Sequence, residues 1–426
     1  MKFTQENSWW KMEILLGILV IFSTLTLWRL NKFTFEPLIF IITFELIAII
    51  SLLLSWREPF VIRGGGLPPI YTSPEMFHVT TKLFSSASLS FFCGVFLINL
   101  FWRKDLNLKV QNFQNIDSRD IDKFSKVFLI AMYLILFLYL FNVGNILIHR
   151  NTYLYNLGGS LNGNIHYYLP IFSVVSAYLA IKSSKKGYRF LLLIYSTVCA
   201  LESFSSASRG ITVQLAAITF IVASQRIRWR WRISILILGT SLTVWFTSLV
   251  LKLRTLSEHG LVPYLSAILN NTTNLNVDLT EFIGNFLSII PTTFLGVQII
   301  PPQNMLLVQI SPFTGRSNGW YEMAGALMVN PATPSGALAQ IGSLGTLTAF
   351  FTWFILGIVI ALLGRINKAT SIFEEQKFVS YVLVLGAMVQ MLQYSLRIGM
   401  RFLYLNLITM MLFKLYTLTF ARRLSQ

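Results

Sequence analysis

Long apolar runs separated by short polar connections dominate the chain. A hydrocarbon core about 30 Å thick is crossed by roughly 20 residues of helix. Eleven runs approach or reach that length: Met12–Trp28, Phe35–Leu54, Leu83–Phe101, Val127–Ile148, Leu169–Ile181, Phe190–Leu201, Ile211–Ala223, Ile233–Leu251, Ala337–Leu363, Phe378–Gln393 and Phe402–Phe420. The pattern predicts an all-α, polytopic membrane helix bundle, one integral domain over residues 1–426. The first run is followed by no small-residue cleavage site before Arg29, so it is expected to stay in the protein. One interruption breaks the rhythm. Between the eighth and ninth runs, residues 252–336 are a long polar stretch that still carries Phe313, Trp320, Tyr321 and many Leu and Ile. Long structureless loops are uncommon unless functional or disordered, and a disordered linker lacks such apolar content. This segment is expected to fold as a cap outside the membrane.

Composition agrees with the pattern: 54% of residues are hydrophobic and 12% charged, against about 25% charged in soluble domains. The formal charge of +17 does not point to nucleic acid, because the cations sit in short clusters between apolar runs; anionic lipid headgroups and phosphate-bearing substrates are their expected partners. The connections holding Arg29/Lys32, Arg103 to Lys126, Lys182 to Arg189, Arg226 to Arg232, Arg365 to Lys377 and Arg422/Arg423 carry 21 of the 34 Lys and Arg. By the positive-inside rule these face the cytoplasm. The N-terminus and residues 252–336 are then outside and the C-terminus inside. The alternating Arg and Trp of Arg226 to Arg232 read as an interfacial anchor rather than a nucleic-acid strip. Cys93 and Cys199 lie inside apolar runs and support no disulfide or zinc site. Gly64 to Pro69 reads as an outer loop without the context of a phosphate-binding P-loop.

Three elements on the outer side carry candidate chemistry. Arg209, in Ser205-Ser206-Ala207-Ser208-Arg209-Gly210, joins the sixth and seventh runs. The serines can cap the seventh helix, and a guanidinium beside a helix start suits a phosphate; the alternative is an Arg that reaches headgroups. Arg397 and Arg401, four apart, share a face if helical, and two guanidiniums on one face ask for a bridging anion such as a diphosphate. Their alternative is pairing with loop carboxylates such as Glu322 or Asp278. In the third element, Thr333 is placed to cap and Pro334 to open a helix running through Gly336, Gly342 and Gly345. Acid–base groups are few: Glu202 and Glu322 are candidate general bases, with a salt-bridge role as the alternative for each. No metal-ligand motif is present, and no metal or cofactor is expected.

The run count, the large late outer loop, Ser206-Ala-Ser-Arg209-Gly210 opening a run, Thr333-Pro-Ser335 with Gly342-Ser-Leu-Gly345 opening the run after the loop, and Arg397/Arg401 before the last run together resemble Wzy-type polymerases of O-antigen or other oligosaccharide repeat units. The resemblance covers the second half of the chain in its motifs and the first half in hydropathy alone. Where such proteins often carry an acidic residue just after the Thr-Pro-Ser element, this chain has Gly336 and Ala337. The resemblance implies a GT-C-like membrane glycosyltransferase of the bacterial cytoplasmic membrane that polymerises undecaprenyl-diphosphate-linked repeat units on its outer face, with a chain-length regulator as a further partner. Arg209, Arg397, Arg401, Glu202 and Glu322 are then expected in catalysis, and Ser208, Arg254, Arg316, Tyr321, Thr333 and Ser335 in substrate binding. A glycan ligase of the same family and a lipid-linked oligosaccharide flippase are the alternatives.

Overall fold

A computed structural model of the protein describes residues 2–29, 34–64, 67–101, 118–152, 160–208, 210–224, 228–270, 279–313, 319–330, 333–370 and 374–424. In chain order the elements are α1 (Lys2–Arg29), α2 (Phe35–Leu54), β1 (Val61–Gly64), β2 (Leu67–Tyr71), α3 (Pro74–Phe101), α4 (Ser118–Ile148), α5 (Ser160–Lys182), α6 (Lys186–Ser205), α7 (Gly210–Ser224) and α8 (Trp229–Leu253). Short helices follow: α9 (Leu261–Leu269), α10 (Leu279–Leu287), α11 (Ile289–Val297), α12 (Met305–Ile310) and α13 (Trp320–Ala326). The chain closes with β3 (Met328–Asn330), β4 (Thr333–Pro334), α14 (Gly336–Gly342), α15 (Thr346–Thr370), α16 (Glu374–Gln393) and α17 (Leu396–Leu424).

The protein is an all-α membrane-type helix bundle. Among the described residues, segments of six helices, α2, α3, α4, α5, α8 and α15, are long and apolar enough to cross a bilayer. Their outward side chains are themselves apolar: Ile130, Leu134, Phe137 and Phe141 of α4 and Ile237 and Leu238 of α8 are exposed, as a lipid-facing surface requires. Shorter apolar stretches occur at Leu15–Arg29, Gly210–Ala223 and Phe282–Val297. Helices α6, α16 and α17 are long but are not among these six.

The chain forms two compact units, unit 1 from Met1–Phe113 with Ile283–Gln426, and unit 2 from Gln114–Phe282. In unit 1, α2, α3 and α15 pack around aromatic rings: Phe40 stacks on Phe91 at 5.2 Å between centroids, and Phe44 meets Trp353 edge-on at 5.2 Å. Helices α3 and α15 approach until backbones touch. A methyl group built on Gly94 would strike the Phe354 carbonyl, and one on Gly357 the Phe91 carbonyl. Small residues at such crossings drive association between helices in lipid, where no hydrophobic force does. In unit 2, α4, α5 and α6 enclose Tyr139, Leu169, Tyr195 and Cys199, and a second core joins Phe204, Ala207, Leu253 and Tyr264.

Two sequence expectations are revised. Gly64 and residues 67–69, expected as a loop, belong to the strands of the antiparallel pair β1–β2. Of the segment 252–336, the part up to Phe282 belongs to unit 2 and the rest to unit 1. The re-entry helix starts later than predicted. Thr333–Pro334 is a strand paired with β3, and Gly336 opens α14 at φ +76°, where an added Cβ would lie 2.6 Å from the Leu392 carbonyl. Left-handed backbone at that point stops a helix from running through it, and only glycine takes it without strain. The helix ends again at Gly342 before α15 restarts at Thr346. Within α2, Glu36 and Glu45 lie buried.

Candidate functional site

Polar chemistry in unit 2 gathers at one end of its helices, around the turn that links α6 to α7. Helix α6 ends in a Schellman turn: Ser208 N–H donates to the Ser203 carbonyl (2.9 Å) and Ala207 N–H to the Phe204 carbonyl (2.9 Å). The left-handed position in this motif is normally glycine, and here it is Ala207, at φ 47°. An L-residue in that region costs about 1–2 kcal/mol, and it persists where the surroundings over-determine it. Those surroundings are visible. Ala207 is fully buried, and Arg254, just past α8, donates from Nε and Nη2 to its carbonyl at 3.0 and 2.7 Å.

A second arginine ties the turn to α4. Arg150, buried, donates from Nη2 to the Ser205 carbonyl (3.1 Å) and from Nη1 to the Ile146 carbonyl (3.3 Å), while Ser205 Oγ donates to the Leu147 carbonyl. Its backbone pairs with His259 through two hydrogen bonds of 2.8 Å. Ser208 Oγ accepts the Gly210 N–H at 3.1 Å, so the serine expected to cap α7 satisfies one of its first amides. The result is a fixed turn, flanked by two guanidiniums, just ahead of the positive end of a 15-residue helix.

Just below the turn is an acid–base cluster. Glu202, on the last turn of α6, accepts from Tyr139 OH of α4 at 2.9 Å and lies 2.6 Å from His166 Nδ1 of α5. The Glu202 side chain is 1% exposed and that of His166 18% exposed. Glu202, read from sequence as a candidate base or salt-bridge partner, is therefore paired with an imidazole.

His259 lies outside the spans, 4% exposed, with Nδ1 3.0 Å from Tyr264 OH. Burial, and secondarily the charge of Arg150, hold its pKa below the ordinary 6.5. Below pH 6.5 the unfolded chain takes up a proton that the folded chain refuses, so this contribution to stability is present above pH 6.5 and is lost as the pH falls towards the lower folded value. The thermal midpoint of the purified protein is expected to drop between pH 7.5 and 5.5, and His259→Gln to shrink that drop. An identical drop in the variant would count against it.

The remaining predicted residues fall elsewhere. In unit 1, Arg397 and Arg401 lie in the first two turns of α17, as helical spacing requires. Arg397 is 1% exposed; it donates to the carbonyls of Val308, Ser311 (3.4 Å) and Phe313 (2.6 Å), with its guanidinium 5.2 Å from the Trp320 ring centre. It thus serves the C-terminal end of α12 rather than pairing with a carboxylate through these contacts. Arg401 is half-buried. Ser335 is buried and donates from Oγ to the Leu327 carbonyl at 2.8 Å, closing the β3–β4 hairpin. Arg209 and Arg316 lie outside the described residues. Tyr321, Glu322 and Thr333 have described backbone, and their side chains lie outside the description.

Sequence reasoning missed Arg150, His166 and Tyr139. An ionisable side chain within a span is itself a signal of a functional position; His166 lies in the span Ile165–Lys182, whereas the run read from the sequence began only at Leu169. Comparison with protein-family models, with curated proteins and with solved structures finds no match to this chain.

Proposed function

We propose that the protein is an integral membrane glycosyltransferase that polymerises undecaprenyl-diphosphate-linked oligosaccharide repeats on the outer face of a bacterial cytoplasmic membrane. Eleven helices, α1 to α8 and α15 to α17, span the bilayer, with the N-terminus outside and the C-terminus inside. One observation carries this reading: at one end of unit 2, guanidiniums and a helix start converge on the turn bearing Arg209, with the Glu202–His166 pair on the same helix end. A lipid diphosphate is a leaving group that remains at the membrane surface, and cations with helix-terminal amides stabilise the charge developing on it. The acid–base pair suits activation of a sugar hydroxyl. Arg397 and Ser335 then support the unit 1 side as positioning residues, and a chain-length regulator is the expected protein partner.

Transport is the second reading, favoured by Glu45, fully buried in the middle of α2, since buried charges within spans mark ion and substrate pathways. Reconstitution decides between them. Proteoliposomes holding the purified chain and a lipid-linked repeat are expected to yield a ladder of longer glycans. Movement of the repeat between leaflets, read with a membrane-impermeant glycosidase and without chain growth, would replace polymerisation by transport.

A further inference from the structure

We propose that His166 is the general base of the transfer, taking the proton of the acceptor sugar hydroxyl, with Glu202 and Tyr139 as its positioning residues. The inference rests on the polymerase reading and deepens it. Three helices each contribute one member: Tyr139 from α4, His166 from α5 and Glu202 from α6. A carboxylate buried in a membrane bundle is costly unless its oxygens are occupied by donors. Here Oε1 receives the Tyr139 hydroxyl and lies against His166 Nδ1, whereas Oε2 is buried and has no hydrogen-bond partner among the described residues. The carboxylate is therefore committed to one edge, the edge that holds the imidazole.

That commitment sets the chemistry of His166. A ring nitrogen 2.6 Å from a carboxylate carries the proton as donor, which leaves the lone pair on Nε2. The acid behind it fixes the tautomer and stabilises the imidazolium once Nε2 is protonated, as in other acid–histidine pairs. Accessibility assigns the roles, because His166 keeps 18% of its side-chain surface and Glu202 keeps 1%. The imidazole is the member a substrate can reach. Glu202 also stands on the helix turn whose end forms the Ser203–Ser208 hydrogen bond, so the positioning carboxylate and the braced turn share one helix terminus.

The step balances. The acceptor O–H proton passes to Nε2 of His166, and the oxygen forms the new bond to the anomeric carbon of the donor. The bond from that carbon to the diphosphate breaks, and its electron pair leaves with undecaprenyl diphosphate. The imidazolium then returns its proton to water.

The test uses full-length protein in proteoliposomes with a lipid-linked repeat. Glutamine at 166 can still hydrogen-bond Glu202 but cannot act as a base, so His166→Gln is expected to slow chain growth about 10²–10⁴-fold while melting like the parent. His166→Ala is expected to regain activity when imidazole is added, a recovery that a purely structural role does not give. Glu202→Gln should lower the turnover number more than it changes KM. Chain growth by His166→Gln within a few-fold of the parent would remove the base and leave the polymerase reading standing. If His166→Gln misfolds, absence of imidazole rescue in His166→Ala, measured beside an active parent, overturns the assignment. No ladder from the parent protein would sink both readings together.

Discussion

Replacing Arg209 by alanine is expected to abolish polymer formation, with at least about a 100-fold loss in transfer rate, the scale seen when one preorganised donor to a developing negative charge is removed. The expectation rests on what flanks the residue. Ala207 is held in the left-handed region by the Arg254 clamp, Ser208 occupies the Gly210 amide, and Arg150 fixes the carbonyl of Ser205. A turn braced at three points is held fixed up to Ser208, the residue that precedes Arg209 in the chain. Lysine should restore little, because a point charge cannot reproduce the two parallel hydrogen bonds of a guanidinium to a phosphate. Product ladders from proteoliposomes, at equal protein, provide the measurement. A ladder of parental length from Arg209→Ala would take this residue out of the site.

Arg397→Ala is expected to cost about 1–3 kcal/mol of stability, the range for losing hydrogen bonds made by a charged group. The guanidinium answers three carbonyls at and beyond the end of α12, and the final carbonyls of any helix have no partner within it. Alanine deprives these part-buried acceptors of their donor and takes away the group facing Trp320. Arg401, one turn along α17 and half-buried, should tolerate alanine far better. Melting temperature and yield in detergent separate the two variants. Equal losses from both, or parental melting of Arg397→Ala, would refute the bracing role. An effect on chain growth from Arg401→Ala at parental stability would instead revive the expectation that this helix face meets an anion.

The bundle was legible because hydropathy over 20 residues is a strong signal, and the apolar runs fall on the helices found. The break between α14 and α15 was not, because an apolar run continues across it and only the backbone angle at Gly345, φ +98°, reveals the interruption. Arg209 stood out by its company of serines at a helix start. The partner of Glu202 did not, since His166 lies 36 residues away on another helix and no periodicity links the two. Arg397 was legible as an anomaly, a cation at an outer connection, while its use could be read only from burial, which sequence does not encode for a long amphipathic side chain.

The seam between α3 and α15 has a consequence for how the protein is made. Its two faces, Gly94 and Gly357, are separated by the whole of unit 2, so the ribosome must finish that unit before α15 exists. At roughly 5–20 residues per second the delay is on the order of tens of seconds. During that time α2 and α3 wait in the bilayer with an open face of small and polar residues, exposed to lipid, to insertion factors and to quality-control proteases. Unit 2, continuous in sequence, has no such wait. Premature stops within the last third of the reading frame should therefore leave one half assembled and the other an orphan for degradation.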